Sequence, residues 1–117
     1  MTVGDIKSIL NATVHCGEDL LDQKVVTACG SDMMSDVLAF VKDQSVLLTG
    51  LVNLQVIRTA EMMDMVCVVF VRGKAPDEAM IQLACQRGII LLSTQYRMFT
   101  ACGLLYEGGL KGGCGLK

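Results

Sequence analysis

Three short stretches line up hydroxyls, glycines and cations: Thr49-Gly50 in "LLTGLVN", Arg72-Gly73-Lys74 in "VRGK", and Ser93-Thr94 in "LLST". A fourth, Cys29-Gly30-Ser31, has the same character without the charge. Each follows an apolar run and precedes a helix-like pattern. The chemistry such residues offer together is anion binding. The first N–H groups of a helix have no partner within it, the dipole favours negative charge there, and Ser, Thr, Arg and Lys add hydrogen bonds and charge. The candidate ligand-binding set is Thr49, Gly50, Asn53, Arg72, Gly73, Lys74, Ser93 and Thr94. Its ligand would be a small anion such as a nucleotide or phosphorylated metabolite. The same residue types also end strands and cap helices with no ligand at all, so a purely structural reading stands beside the functional one.

Other chemistries find less support. "GLVNLQ" lacks the paired glycines, Lys and Ser or Thr of a phosphate loop, and no dinucleotide fingerprint occurs, so neither phosphoryl transfer nor hydride transfer is indicated. His15 beside Cys16 suggests a base and a nucleophile, but neighbours on a strand point to opposite faces. One imidazole and six cysteines (Cys16, Cys29, Cys67, Cys85, Cys102, Cys114) supply no CxxC spacing, which argues against metal and favours free, mostly buried thiols. No cofactor is called for. Met33, Met34, Met62, Met63, Met65, Met80 and Met98 fall at helical spacing and read as core fillers. Asp64, Asp77 and Glu78 lie where helix ends and starts place ordinary carboxylates.

The elements that position these residues follow from periodicity. Val3, Ile6, Ile9 and Leu10 share one helical face, "ATVHCG" and "KVVTACG" read as strands, and "DMMSDVLAFVK" reads as a helix. Its stripe is Met33, Met34, Val37, Leu38 and Val41, with Ser31 as N-cap and Asp32 at the positive end. Strands at Val46–Thr49, Met65–Val71 and Ile89–Ser93 then alternate with helices in "NLQVIRTAEMMD", capped by Asn53, in "APDEAMIQLACQRG" and in "QYRMFTACGLLYEGG". Pro76 suits the first turn of the second of these, Gly88 suits its end, and Thr94 is a candidate cap for the third.

Near-continuous apolar strands belong in sheets covered on both faces, and strand–helix–strand order calls for parallel pairing. The expected fold is α/β, a three-layer α/β/α sandwich with a mostly parallel sheet of about five strands. Residues 1–108 form the expected domain. Residues 109–117, rich in glycine and poor in apolar side chains, form a flexible tail.

The 117 residues suit one domain with an ordinary core. A net charge of −2 without a basic run removes the footprint of a nucleic-acid binder. Charged residues interrupt every apolar run short of the roughly 20 residues that span a bilayer, and "MTVGDIKSIL" has no signal-peptide pattern. A cytoplasmic protein with no membrane partner is expected. At 52% hydrophobic residues, part of the apolar excess is expected in an interface.

In order, "SDMMSDVLAF", "VLLTGLVNLQVIRTAEMMD", "VVFVRGKAPDEAMIQLACQRGIILLST" and "FTACGLLYEGGL" make the chain similar to the DRTGG domain family over about residues 1–110. The likeness extends to the stand-alone DRTGG proteins of anaerobic bacteria often encoded near iron hydrogenases. It implies a fold like the N-terminal domain of HPr kinase/phosphorylase and a non-catalytic regulatory or assembly role, often as a homodimer, with a protein partner in a hydrogenase or similar metabolic system. The chain departs from the motif that names the family. After Gly50 it reads Leu51, Val52, Asn53, so a ligand role resting on the family's Asp–Arg pair does not carry over.

Overall fold

Three apolar runs side by side make the centre of the molecule. The computed structural model describes residues 1–39 and 44–112. In it β3 (Ser45–Thr49), β4 (Cys67–Phe70) and β5 (Ile90–Ser93) pair in parallel, with Val46 opposite Cys67 and Cys67 opposite Ile90. β2 (Thr27–Gly30) adds in parallel outside β3. β1 (Thr13–Cys16) closes the other edge antiparallel to β5, with a register shift between Val14 and Cys16. The sheet order is β1-β5-β4-β3-β2.

Alternation along the strands sends side chains to two cores. Leu47, Val68, Phe70 and Leu91 pack with α2 (Met34–Leu38), α3 (Leu54–Met62) and α4 (Glu78–Arg87). Val46, Leu48, Val69, Ile90 and Leu92 pack with α1 (Val3–Leu10) and α5 (Met98–Glu107). Each fully buried Val, Leu, Ile or Phe is worth roughly 1.5–3 kcal/mol, so the two-sided core outweighs every cap and surface pair in holding the sheet. The architecture is the expected three-layer, mostly parallel α/β fold.

Helix ends follow local chemistry. Thr2 and Asp5 form a reciprocal capping box on α1. Asn53 accepts the Val56 N–H at 3.2 Å to start α3. Asp77 accepts the Met80 N–H at 2.9 Å to start α4, which ends on Gly88 at φ 70°. Pro76 therefore stands just ahead of the cap rather than in the first turn.

Two expected caps have other work. α2 begins after Met33 without a side-chain cap, because Ser31 closes a short turn on the Met33 N–H at 3.0 Å. α5 begins after Arg97, also uncapped. Thr94 is buried and instead donates its hydroxyl to the Leu10 carbonyl at the end of α1, at 2.8 Å. Val41 of the α2 stripe and Cys114 lie outside the described residues. Of the expected tail, residues 109–112 are described: Leu110 is only 3% exposed, and the Lys111 carbonyl accepts the Ala28 N–H at 2.9 Å, extending the β2 edge.

The expectation of free thiols fails for one pair. Cys16 and Cys85, 69 positions apart, form a disulfide with a Cα separation of 6.0 Å, tying β1 to α4. CxxC spacing could not reveal it, since the fold alone brings the two together.

Candidate functional site

The C-terminal ends of β3, β4 and β5 lie side by side, as parallel pairing requires, and they carry most of the candidate residues. At the end of β3, Thr49 is fully buried. Its hydroxyl donates to Asp32 Oδ1 at 3.1 Å, and the Gly50 N–H donates to the same oxygen at 2.6 Å. The Leu51 N–H donates to Thr49 Oγ1 at 3.1 Å. Asp32, read from sequence as a charge for the α2 dipole, reaches across to tie this turn together. The partners of the Gly50 and Leu51 N–H groups are therefore internal.

The end of β4 is built differently. Arg72 has φ 61° and Gly73 φ 73°, the signs of a type I′ turn, in which glycine, asparagine or aspartate is the ordinary occupant of the first position. The Lys74 N–H closes the turn on the Val71 carbonyl at 3.2 Å. The Arg72 and Gly73 N–H groups donate to the carbonyls of Tyr96 and Thr94 at 2.8 and 2.9 Å. With its backbone so held, the exposed Arg72 side chain lies back over Gly50. A Cβ on Gly50 would run into the guanidinium, whose Cζ and Nε lie 3.0 Å from that position. Lys74 is exposed on the same turn.

At the end of β5, Ser93 Oγ and His15 Nε2 are 2.7 Å apart, a link between strands that sequence reasoning missed because 78 positions separate them. Burial holds the His15 pKa below its ordinary value. Cys16 turns the other way to Cys85, so the imidazole and the neighbouring thiol do not meet. The remaining described thiols are poorly poised as nucleophiles. Burial raises the pKa of Cys29, Cys67 and Cys102, and the neighbouring Cys102 and Asp36 add to the effect at Cys29. Among the described residues no group of three or more His, Cys, Asp or Glu is placed to hold a metal.

The eight candidates thus divide. Thr49, Thr94 and Asn53 hold backbone, Ser93 holds His15, Gly50 and Gly73 leave room for neighbours, and Arg72 and Lys74 point their charge at solvent. Two hollows lie elsewhere, around the starts of β4 and β5. One of about 370 Å³ is lined by Gln23, Asp64 and the ion pair Arg87–Glu61, closed at 3.0 Å. The other, about 190 Å³, is bordered by the Cys16–Cys85 bridge. Neither was legible in sequence, because each is assembled from segments with no shared motif. No helix among the described residues is long and apolar enough to cross a membrane.

No family model matches the chain, and no curated protein matches it. Among solved structures, it is similar to the CBS and DRTGG domains of the regulatory region of Clostridium perfringens pyrophosphatase, solved with the activator diadenosine tetraphosphate. The TM-score is 0.71 at 18% identity, over 89% of this chain and 45% of that one. The likeness is one of fold, and it agrees with the DRTGG-like architecture that the ordered motifs implied. The chain spans less than half of that regulatory region.

Proposed function

We propose that the chain is a non-catalytic regulatory or assembly domain, acting in the cytoplasm as a homodimer with a protein partner in a metabolic enzyme system, of which a hydrogenase system is one case. One observation carries the non-catalytic part. At the strand ends where an α/β sheet usually presents its reactive groups, the hydroxyls and the turn N–H groups are spent within the chain, on Asp32, on His15, on Thr49 and on backbone carbonyls. Such an edge suits recognition better than bond making. Sedimentation of the purified chain tests the dimer: a stable monomer at concentrations well above micromolar would remove that part of the reading.

A second reading has its own support in Arg72. A bulky residue held at positive φ costs of order 1 kcal/mol or more, and such strain concentrates at functional sites. It keeps a guanidinium over Gly50 and beside Lys74, an arrangement suited to a phosphorylated ligand. On this reading the domain senses a nucleotide or phosphorylated metabolite at the β3–β4 lip. The fold neighbour's nucleotide activator supports trying that class first. A thermal-shift series with ATP, diadenosine tetraphosphate and inorganic pyrophosphate should raise the melting temperature. Ligand at a hundredfold excess over Kd stabilises by about 2.7 kcal/mol. The rise should vanish in Arg72→Ala and in Lys74→Ala. A rise that persists in both would move the ligand elsewhere.

A further inference from the structure

The two halves of the Cys16–Cys85 bridge are unequally placed. Cys16 is only 7% exposed, whereas Cys85 lies on the exposed last turn of α4, and the hollow of about 190 Å³ opens beside both. An external thiol thus has access from the Cys85 side. Elsewhere in the chain cysteines stay as thiols: Cys67 is buried, but Cys29 and Cys102 are free while only half-buried. A chain that keeps such thiols suits a reducing compartment, where a disulfide is ordinarily transient rather than structural. A 117-residue chain with a core on both faces of its sheet also has little need of a covalent staple.

The two sides of the bridge would respond differently to its opening. β1 is held independently, by the pairing of Thr13 and Val14 with β5 and by the His15–Ser93 link at 2.7 Å. Gly17, next in the chain, lies against Ile90 so closely that a side chain there would stand 2.7 Å from Ile90 Cγ1. At the other side Cys85, Gln86, Arg87 and Gly88 are all exposed. What fastens this turn besides the bridge is local or open to water. The Gly88 N–H bonds back to the Ala84 and Cys85 carbonyls, and the Arg87–Glu61 pair is half-exposed at both ends and worth little. Gly88 and Ile89 border both hollows, so a shift of this turn alters the one of about 370 Å³ that Arg87 and Glu61 line.

We propose that the Cys16–Cys85 bridge is a reversible redox switch, opened by a dithiol reductant at Cys85, whose opening loosens the last turn of α4 and reshapes the Arg87-lined hollow. The inference names a signal for the regulatory domain and rests on the cytoplasmic part of that reading. One thiolate of the reductant attacks Cys85 Sγ, forming a mixed disulfide as Cys16 Sγ leaves and takes up a proton. The second thiol of the reductant then attacks its own sulfur in that mixed disulfide. Cys85 leaves as a thiol, and the reductant departs as a closed disulfide. Two electrons and two protons pass from the dithiol to the cysteine pair.

Hydrogen exchange on the purified chain, with and without millimolar dithiothreitol, tests this. Reduction should proceed without denaturant, adding two alkylatable thiols while the circular dichroism spectrum and cooperative unfolding are kept. Amides of residues 85–88 should exchange about tenfold faster or more, with those of β4 and α1 unchanged. Oxidised dithiothreitol should reverse both changes. Cys85→Ser, a substitution at an exposed position, should show the fast exchange under both conditions. Glutathione, a monothiol, should be trapped on Cys85 at least about tenfold more than on Cys16. A bridge that resists dithiothreitol until the chain unfolds, or a reduced chain that no longer unfolds cooperatively, would make it a staple and overturn the switch. Equal exchange in the two states would overturn it as well. Fractionation of the native host reads the compartment separately: an exported chain would remove the cytoplasmic reading whatever the exchange shows.

Discussion

The turns that follow β3 and β4 sit side by side and dispose of their backbone in opposite ways. At β3 a carboxylate from outside, Asp32, gathers the Gly50 N–H and the Thr49 hydroxyl on one oxygen. At β4 the chain ties itself off through two left-handed residues and leaves Arg72 and Lys74 facing solvent. Equivalent positions in a repeated strand–helix unit have become a closed frame and an open, charged lip. The first turn is set by partners, the second by conformation, and only the second has unspent charge.

The sharpest way to break that contrast is Asp32→Ala. It leaves a hydroxyl and an N–H at a strand end without their charged acceptor, and hydrogen bonds to charged groups are worth about 1.5–3 kcal/mol. We expect a loss of about 2 kcal/mol in urea unfolding, less in Asp32→Asn, which keeps an acceptor oxygen. A wild-type midpoint in the alanine variant would mean that the β3 turn needs no outside closure.

Arg72→Gly probes the open side and should act with the opposite sign. Relief of the positive φ offsets the added freedom of the unfolded chain, for a net gain of about 0.5–1 kcal/mol. The same variant should lose any response to polyphosphate ligands. Stability and response would then separate at β4, whereas at β3 they could not. A less stable glycine variant would show that the left-handed conformation carries no strain.

The smallest effect lies at the end of β5. His15 has its pKa lowered by burial from an ordinary value near 6.5, so the unfolded chain takes up a proton first as pH falls. Its contribution to stability is complete above pH 6.5 and drains away as the pH drops through the lower folded value. Urea midpoints measured at pH 7.5 and stepwise below 6.5 should fall more for wild type than for His15→Gln. Equal slopes would leave the His15–Ser93 link without a role in closing this edge.

How far the sequence discloses this molecule depends on the range of the interaction. The parallel centre is visible because Val46–Thr49, Met65–Val71 and Ile89–Ser93 are each apolar throughout, which only a doubly covered strand tolerates. α3 and α4 are visible because Asn53, Asp77 and Gly88 act within a few residues of themselves. Asp32 was misread since its partners lie 17 and 18 positions away on another strand, while its local setting resembles a helix start. Thr94 was misread for the same reason, its hydroxyl being claimed by Leu10 at a separation of 84. Arg72 gave no warning because Arg is rare at positive φ and Gly73 alone marks the turn. Residues 109–117 read as too poor in apolar side chains to pack, yet Leu110 joins the core on the α1 and α5 side of the sheet.

The bridge between Cys16 and Cys85 makes the molecule, in covalent terms, a ring with two arms. The ring runs through β2, α2, β3, α3 and β4, and the arms are α1 with most of β1 on one side and β5 with α5 on the other. A loop of this length removes unfolded-state freedom worth about 4 kcal/mol in the chain-entropy account. A force drawn through the two arms enters at Cys16 and leaves at Cys85 without loading what lies between. The turns after β3 and β4 would keep their chain continuity slack under that load, while Ser93 and Thr94, on the outer arm, would feel it directly.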